Sequence, residues 1–492
     1  MFRRLVQLVL LALVVVAGVV LYRTASLSSL QPPVPAAFDD PTPLDAEAAV
    51  ERFAGAIRFP TVSREDAPHD SAAFRALHAY LAEVFPRVHA TLERETIGGL
   101  SLLYRWPGRD PSKAPIVLMG HQDVVPVIPG TEDDWTHGPF SGAVAEGFVW
   151  GRGTLDDKVS VLAILEAVET LLEAGHTPER TVYLAFGHDE EIGGRAGARV
   201  IADTLEARGV SEFAFVLDEG GAILDGETSP LDRPMATVGI AEKGGVNLQL
   251  VVRSAGGHSS TPPPHTAIGV LARAIVRLEE NPFPASLEGP GGEMLAFMAP
   301  EMGFGARMAI ANRWLFGRLL TRAMLGDPAT AAMLRTTTAA TIIDGGVKSN
   351  VLPIEARAVV NFRIRPGETP ASVAERVRAV IDDPAVEVSG EQNGRPPSPV
   401  SDPHSDAFRT IASTIREVAG EEVVVAPYLV VGGTDARYYA PRSRNVYRFL
   451  PVRLEPDGLQ RLHGTNERVA VSGYLDSVRF FQTLLRKVDA LP

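Results

Sequence analysis

Residues 116–123 read IVLMGHQD, and this short stretch indicates both a fold and a site. Its first four residues form an uninterrupted apolar run, the pattern of a strand that is buried on both faces of a sheet. Two more such runs, at 181–186 and 213–217, are followed directly by acidic residues or histidine. Because ligands bind beyond the carboxyl ends of strands in open α/β sheets, we expect these three strand ends to share one crevice.

The rest of the chain extends this pattern into two domains. From about Leu44, helical patterns alternate with short apolar strands, which predicts an α/β fold with a mixed sheet flanked by helices. Between 237 and 394 the order changes to strand, helix, strand, strand, helix, which predicts an inserted ferredoxin-like α+β domain. We assign the catalytic domain to 44–236 and 395–492, since 492 residues exceed what one core accommodates.

Within the predicted lid or dimerisation domain at 237–394, residues 285–335 form an extra apolar segment. It contains six methionines, Met294, Met298, Met302, Met308, Met324 and Met333. Such stripes usually belong to the core of packed helices. The alternative is an adaptable hydrophobic pocket, for which the flexible thioether side chain is suited.

The amino terminus departs from this globular pattern. Arg3 and Arg4 precede an apolar run at 5–21 with a single polar interruption, at the short end of the length that spans a membrane. The basic pair before the run predicts a signal anchor at 1–23, single-pass, with the body on the extracytoplasmic side, whether periplasmic, lumenal or secreted. A cleaved signal peptide is the alternative, although no clear cleavage site follows. Five prolines at 24–43 predict an extended stalk.

Composition excludes several classes of protein. The chain carries 47 Lys and Arg against 60 Asp and Glu, a formal charge of −13, which argues against a nucleic-acid partner. It has no cysteine, so disulfides and thiolate catalysis are excluded, and any metal must be held by His, Asp and Glu. The absence of a Gly-x-Ser-x-Gly elbow disfavours a serine hydrolase.

The residues at the strand ends have the chemistry of a metal hydrolase. His121 and Asp123 stand two residues apart, so the carboxylate can orient the imidazole of a metal ligand. Asp156 precedes a helix, where it can bridge two ions or simply cap the helix. Adjacent Glu190 and Glu191 lie just past a strand end and can divide the tasks of ligand and general base. Two zinc ions about 3.5–4 Å apart need about five such ligands, which this cluster supplies.

From about Leu44 to the carboxyl end, the chain resembles the aminoacylase / carboxypeptidase S family of dizinc peptidases. The motifs that carry the resemblance are His121-x-Asp123, Gly151-Arg152-Gly153 with Asp156-Asp157-Lys158, Gly187-His188-Asp189-Glu190-Glu191, Gly257-His258-Ser259, Gly432-Gly433-Thr434-Asp435-Ala436-Arg437 and His463-Gly464-Thr465-Asn466-Glu467. The amino-terminal anchor and the third motif are most similar to the carboxypeptidase S and N-fatty-acyl-amino-acid synthase/hydrolase members.

The resemblance implies a zinc-peptidase-type fold with two Zn²⁺ ions per subunit. The implied ligands are His121 and Asp218 on one ion, Glu191 and His463 on the other, and Asp156 as the bridge. Glu190 would be the general base, and Asp123 would orient the first histidine. Glu219 stays open as an alternative to Asp218. The resemblance also implies a cis peptide bond after Asp156.

The resemblance further implies functional residues outside this cluster. His258 of the inserted domain would stabilise the oxyanion, frequently from the partner subunit of a homodimer formed through that domain. Asn350 and Arg363 would bind the substrate carboxylate or carbonyl, and the turn at Gly433–Thr434 would supply backbone donors at a helix start. A turn histidine and an exposed strand arginine are the simpler interpretations of His258 and Arg363.

These observations predict a metallohydrolase that cleaves the amide bond beside a free α-carboxylate. The expected substrates are small N-acyl amino acids, including N-fatty-acyl ones, with condensation as the reverse reaction. A peptide carboxypeptidase or dipeptidase with the same site is the enzymatic alternative. A membrane-tethered binding protein that has lost catalysis is the non-enzymatic one.

Overall fold

The computed structural model describes residues 2–34, 42–210 and 212–491, so part of the predicted stalk, 35–41, lies outside the described residues. The strands are β1 (Glu93–Ile97), β2 (Ser101–Trp106), β3 (Ile116–His121), β4 (Ala143–Ala145), β5 (Phe148–Trp150), β6 (Val182–Gly187), β7 (Phe215–Asp218), β8 (Ile223–Leu224), β9 (Met235–Glu242), β10 (Gly244–Arg253), β11 (Gly257–His258), β12 (Thr337–Gly345), β13 (Val351–Leu352), β14 (Glu355–Ile364), β15 (Val386–Ser389), β16 (Val424–Val430), β17 (Val446–Arg448), β18 (Arg453–Leu454) and β19 (Arg468–Ala470). The helices are α1 (Phe2–Ala25), α2 (Ala46–Ile57), α3 (Ser71–Val84), α4 (Pro86–Thr91), α5 (Lys158–Glu173), α6 (Ala198–Ala207), α7 (Ala267–Glu280), α8 (Pro290–Met298), α9 (Phe304–Ala311), α10 (Arg313–Met324), α11 (Pro328–Leu334), α12 (Pro370–Ile381), α13 (Asp406–Ala419), α14 (Gly458–Arg461) and α15 (Val471–Lys487).

The main sheet has the order β1-β2-β6-β3-β7-β17-β9-β8-β18, with β16 paired to β9. Strand β3 runs parallel to both β6 and β7, so their carboxyl ends lie at the same edge. Ile116 and Leu118 belong to the core beneath α2, α5 and α15, whereas Val117 and Met119 belong to the core beneath α6. The α/β fold is therefore confirmed, and the apolar run at 116–119 is explained because helices cover both faces of its strand.

A second, smaller sheet forms the lid. Its order is β12-β14-β10-β15, every pairing is antiparallel, and α7 and α12 share its core. Only Lys243 separates β9 of the main sheet from β10 of the lid. A Cβ atom on Gly244 would lie 2.4 Å from the Arg395 carbonyl oxygen. The predicted inserted α+β domain is thus present, and its two connecting segments cross in close contact at a glycine.

The apolar segment at 285–335 forms helices α8 to α11, which lie away from the lid sheet. Helix α8 packs on β16 of the main sheet, and α9 packs on α1. Met298 is buried in the main core, and Met294 and Met302 pack against it. The segment is inserted in the sequence of the lid, but it belongs in space to the catalytic domain. These three methionines therefore fill a helix core, as the simpler interpretation expected.

Helix α1 is the one helix within the described residues that is long and apolar enough to cross a membrane, judged by length and composition. It continues to Ala25, two residues into the predicted stalk. Only Val20 and Thr24 on this helix are buried. The helix therefore projects from the body and contacts it through its last two turns.

Candidate metal centre

Five segments far apart in sequence converge beyond the carboxyl edge of the main sheet. They supply His121 at the end of β3, Asp156 from the loop before α5, Glu190 and Glu191 from a 3₁₀ turn after β6, Glu219 after β7, and His463 after α14. Two groups of ligand atoms each lie within 4.8 Å of one another: His121, Glu190 and Glu219 form one, and His121, Asp156 and Glu191 form the other. The crevice expected from the strand ends is therefore lined by carboxylates and imidazoles.

Asp123 holds the first histidine and the glutamate turn together. His121 Nδ1 lies 2.9 Å from the Asp123 carbonyl oxygen and 3.3 Å from its Oδ1. Because a carbonyl can only accept, Nδ1 carries the proton and Nε2 faces the centre. The Asp123 carboxylate also accepts from the backbone N–H groups of Glu190 and Glu191, at 3.2 and 3.1 Å. Burial, the largest single influence, raises the Asp123 pKa, but the hydrogen bond and charge of His121, together with hydrogen bonds from Ser63 and Glu191, leave the Asp123 pKa below its usual value.

Asp156 lies between the two histidines. Its Oδ1 is 2.8 Å from His121 Nε2, and its Oδ2 is 2.9 Å from His463 Nε2. Glu191 Oε2 lies 3.3 Å from His463 Nε2, and Glu219 Oε1 lies 3.6 Å from His121 Nε2. Each imidazole therefore faces a different oxygen of Asp156. Each also lies near a second carboxylate, Glu219 for His121 and Glu191 for His463. The Asp156–Asp157 peptide bond is cis, which confirms that expectation.

The donor set fits cations. Burial first, and then the charge of Asp156, raise the pKa of Glu219 to about 8. Glu191 Oε1 is buried and has no hydrogen-bond partner among the described residues. Neutral histidine would present an Nε2 lone pair to these oxygens, which is a contact between acceptors. A positive ion between imidazole and carboxylate resolves this conflict, and zinc accepts both kinds of ligand.

Glu219 occupies the position beside His121 that the sequence left open between it and Asp218. Asp218 is the last residue of β7, and its Oδ2 accepts from the backbone N–H of Ala436 at 2.7 Å. Side chains of successive residues point to opposite sides of a strand, so only one of the two can face the cluster. The geometry favours Glu219 as the ligand and gives Asp218 the task of holding the 435–438 turn.

Glu467 organises the loop that carries Asp156, a role that the sequence did not reveal. It is fully buried, and its Oε1 accepts from the backbone N–H groups of Gly153, Leu155 and Asp156. Its Oε2 lies 2.6 Å from the Arg152 guanidinium. That guanidinium also donates to the carbonyl oxygens of His463 and Gly464. The pair thus couples the bridging aspartate to the second histidine. The motifs contained both residues, but nothing local paired them.

Glu190 has the environment of a proton acceptor, and its carboxylate also lies within one of the two groups of ligand atoms. Burial raises its pKa well above the usual range. The His121 charge opposes this shift, and the nearby carboxylates, beginning with Asp435, add to it. Asp435 is itself buried, and neither of its oxygens has a hydrogen-bond partner among the described residues. Arg437 approaches Asp435 at 3.9 Å and supplies positive charge at this side of the crevice.

The predicted lid residues lie apart from the cluster. His258 is exposed on β11, and its Nδ1 is bonded to Ser260 at 2.7 Å. Asn350 is exposed, and its carbonyl accepts from the Ser259 N–H, which places it on the same hairpin as His258. Arg363 is exposed on β14. Within the described residues, no hydrogen bond or ion pair joins these three side chains to the metal cluster.

The turn at Gly433 and Thr434 is built differently from the expected helix start. It leads into a four-residue 3₁₀ helix, 435–438, too short for a substantial helix dipole. Thr434 Oγ1 donates to Glu242 at 2.9 Å. A Cβ on Gly433 would lie 2.4 Å from the Arg395 guanidinium. Positive charge near this turn therefore comes from the arginine, which the sequence did not single out.

Comparison with known proteins identifies relatives over most of the chain. Residues 117–487 match Peptidase family M20/M25/M40. The chain is 41% identical over 474 residues to the probable carboxypeptidase S-like 2 of Dictyostelium discoideum, covering 95% of this chain and 91% of that one. It is 41% identical over 444 residues to the N-fatty-acyl-amino acid synthase/hydrolase PM20D1 of Xenopus tropicalis, covering 89% and 86%.

A solved structure supports the fold. An M20 family metallo-carboxypeptidase, Sso-CP2 of Sulfolobus solfataricus, superimposes with a TM-score of 0.65 at 19% identity, over 90% of this chain and 99% of that one. The match to the family, at 117–487, covers most of the chain and includes the main sheet without β1 and β2, the lid, and all residues of the metal cluster. The chain therefore belongs to the M20 peptidase family and is a metal-dependent hydrolase of that family.

Proposed function

We propose that the protein is a dizinc amidohydrolase that cleaves N-acyl amino acids beside their free carboxylate. The observation that carries the proposal is Asp156, whose two oxygens face the two histidines at 2.8 and 2.9 Å. His121 and Glu219 would hold one ion, Glu191 and His463 the other, and Asp156 would join them. When bound, the two ions would polarise the amide carbonyl and acidify a water between them.

Glu190 would move the proton. Its backbone N–H is fixed on Asp123, and its raised pKa suits a group that takes a proton from the attacking water and returns it to the departing amine. Glu191 stays with His463 at 3.3 Å, so the adjacent glutamates have separate tasks. Asp123 supports both tasks, because its carboxylate accepts from the N–H of each glutamate.

The substrate carboxylate would be recognised by arginines at the mouth of the crevice. Arg395 lies beside Gly433, and Arg437 lies beside Asp435 and Glu190. Guanidinium groups match a carboxylate through paired hydrogen bonds. Arg363 of the lid contributes to the lowered pKa of Arg395, after burial and Arg437, so it is close enough to join them. Asn350 would add a side-chain amide once the lid closes.

His258 would reach the oxyanion by closure of the lid or from a partner subunit. The lid presents exposed apolar side chains on and near β12, including Ile342 (54%), Ile343 (61%) and Val347 (96%). β12 is an edge strand, and His258 pairs with Val351 close to this surface. An exposed apolar edge strand supports a homodimer through the lid. Ile343→Glu should therefore yield a monomer on a sizing column and lower activity without releasing zinc.

The names of two relatives support the proposed acyl class. One relative bears the name N-fatty-acyl-amino acid synthase/hydrolase and another carboxypeptidase S-like, so acyl amino acids and peptides are the two candidates. The test is a zinc assay together with hydrolysis of an N-oleoyl amino acid, an N-acetyl amino acid and a blocked dipeptide. We expect two zinc ions per chain and the highest kcat/KM for the N-oleoyl substrate. A preference for the dipeptide would replace the lipid proposal with a carboxypeptidase.

We also propose that α1 is a retained membrane anchor rather than a cleaved signal. Asn312 Nδ2 donates to the Val20 carbonyl at 3.2 Å, and Gln31 exchanges hydrogen bonds with both backbone groups of Val425 at 3.0 and 2.8 Å. Arg416 donates to the Pro32 carbonyl. Cleavage after α1 would remove the first of these contacts. Mass spectrometry of the purified membrane fraction tests this, and a chain starting after Ala25 would contradict it.

A further inference from the structure

Helices α9 and α10 meet beside the carboxyl-terminal end of the apolar helix α1. Asn312, between them, donates from Nδ2 to the Val20 carbonyl and the Thr24 hydroxyl at 3.2 and 3.3 Å. Arg307 of α9 donates to the Thr24 carbonyl at 3.1 Å and to the Leu27 carbonyl. Val20 and Thr24 are also the two buried residues of α1. The last turns of α1 are therefore seated on the corner between α9 and α10.

This corner lies where a membrane surface would be. The apolar run from Leu5 to Tyr22 is about 27 Å long at about 1.5 Å per residue, close to the hydrocarbon thickness of about 30 Å. If α1 crosses a bilayer, Val20 and Tyr22 reach the headgroup level on the side of the body. Because Asn312 is bonded to Val20, the start of α10 lies at the same level.

Helix α10 has the composition of a helix that lies on a membrane surface. It reads RWLFGRLLTRAM, contains no acidic residue and has no fully buried residue; Leu320 and Met324 pack, partly buried, against the body. Trp314, Leu315 and Leu319 are 54%, 47% and 63% exposed. Arg318 and Arg322 lie among them and are also exposed. Exposed tryptophan and leucine mixed with arginine is the pattern of an interfacial amphipathic helix.

The charges of this helix are available to an anionic partner. Of the residues that the structure describes, none forms an ion pair with Arg313, Arg318 or Arg322, although the body as a whole carries excess acid. The three line an open cleft of about 810 Å³ together with Glu288 and Glu293. Phe304, at the start of α9, is 62% exposed. Helix α9 packs on both α1 and α10, so these exposed apolar side chains lie on helices that adjoin the apolar helix α1.

We propose that the surface formed by Phe304, Trp314, Leu315, Arg318, Leu319 and Arg322 lies on the bilayer beside α1 and binds anionic phospholipid headgroups through its arginines. The inference rests on the membrane anchoring proposed above. A lipid surface fits better than a second copy, because the patch continues the apolar helix and carries basic charge. Binding of this surface would hold the body in one orientation against the bilayer, with the 285–335 segment as the part that contacts the lipid.

The absence of cysteine allows a direct test in the full-length chain. A single Leu319→Cys substitution is labelled with an environment-sensitive fluorophore and reconstituted into phosphatidylcholine vesicles that contain phosphatidylglycerol and doxyl-labelled lipid. Val9→Cys on α1 and Glu279→Cys, at an exposed position on α7, serve as buried-in-lipid and solvent controls. We expect the Leu319 label to be quenched about twofold or more above the Glu279 label. Equal quenching of the labels at 319 and 279, with the Val9 label quenched, overturns the surface and leaves the anchor standing.

The remaining outcomes separate the two proposals. An unquenched Val9 label with a quenched Leu319 label refutes the anchor and supports the surface. A Leu319 label that is shielded by raised protein concentration but not quenched by lipid identifies a second copy and overturns the proposal. Arg318→Glu with Arg322→Glu should reduce Leu319 quenching about twofold, whereas the two lysine substitutions should retain it. Equal quenching in the glutamate pair and the lysine pair would overturn the proposed binding of anionic headgroups. Thermal midpoints verify folding, and Leu315→Cys replaces Leu319→Cys if that variant misfolds.

Discussion

The metal cluster and the lid hairpin differ in how firmly their functional side chains are held. His121 is 1% exposed, and Asp123 and Glu467 are fully buried, each with several hydrogen bonds. In contrast, His258 and Asn350 are exposed on a short hairpin, and among the described residues the His258 ring forms hydrogen bonds only with Ser260. The metal cluster is therefore preorganised within one chain, whereas the proposed roles of the lid residues would require closure of the lid or a partner subunit.

The connection between the main sheet and the lid is held firmly on the side of the main sheet. Glu242, the last residue of β9, is buried and forms a 2.6 Å ion pair with Arg448, which is fully buried on β17. Lys243 and Gly244 then lead directly into the lid. A buried pair fixes the end of the main sheet, because separating its charges would leave each uncompensated. We therefore expect any movement of the lid to pivot at the residues after Glu242 and at the second connection near Arg395, which crosses beside Gly244.

The largest expected effect on activity comes from a substitution in the metal cluster. Glu190→Gln removes the proton acceptor but keeps its shape, so kcat should fall about 10³–10⁴-fold with zinc content unchanged. Steady-state kinetics and metal analysis of the same preparation measure this. Glu279→Gln, an exposed glutamate on α7, is the matched control and should retain full activity. Activity within tenfold of the parent in Glu190→Gln would remove Glu190 from the mechanism.

The next effect probes the lid. His258→Ala should lower kcat about 10²–10³-fold, the loss of one oxyanion donor, while zinc content and thermal midpoint stay constant. His265→Ala is the control on an exposed lid histidine. Mixing His258→Ala chains with Glu190→Gln chains should restore activity if the histidine acts from the partner subunit. Lack of restoration in verified mixed dimers would assign His258 to its own chain.

A smaller effect tests the support of the bridging aspartate. Glu467→Gln places an amide beside the Arg152 guanidinium and weakens the hydrogen bonds that hold the Asp156 loop, so zinc affinity should fall about 10–100-fold. Competition with a chelator measures the affinity. Glu421→Gln, on the surface, is the control. Unchanged zinc affinity in Glu467→Gln would show that the loop holds its shape without this glutamate.

The smallest effect concerns substrate recognition by the lid. Asn350→Ala should raise KM about tenfold, corresponding to a hydrogen bond to a charged group of about 1.5 kcal/mol, with zinc content unchanged. Asn393→Ala is the exposed control. A loss confined to kcat would mean that Asn350 acts on the transition state rather than on the substrate carboxylate. A loss of zinc in Asn350→Ala would mean that this lid residue also supports the metal cluster.

Much of the fold can be predicted from local patterns in the sequence. The apolar runs at 116–119 and 181–186 predict strands covered on both faces, and the strand-like run at 246–252 predicts the first strand of the inserted domain; the structure contains all three strands. The histidine and carboxylates after the first two runs meet because parallel strands bring their carboxyl ends to one edge. Period and position along the chain suffice for these conclusions.

The sequence by itself thus determined the fold class, the family, and the set of residues from which a metal centre is built. Only the tertiary structure decided that Glu219 rather than Asp218 faces His121, that Glu467 braces the Asp156 loop from 311 residues away, and that the 285–335 helices seat α1 rather than cover the lid. The physical reason is that hydrogen-bonding period and burial are local properties of a segment. Which distant segment completes a polar group's hydrogen bonds depends on how the whole chain packs.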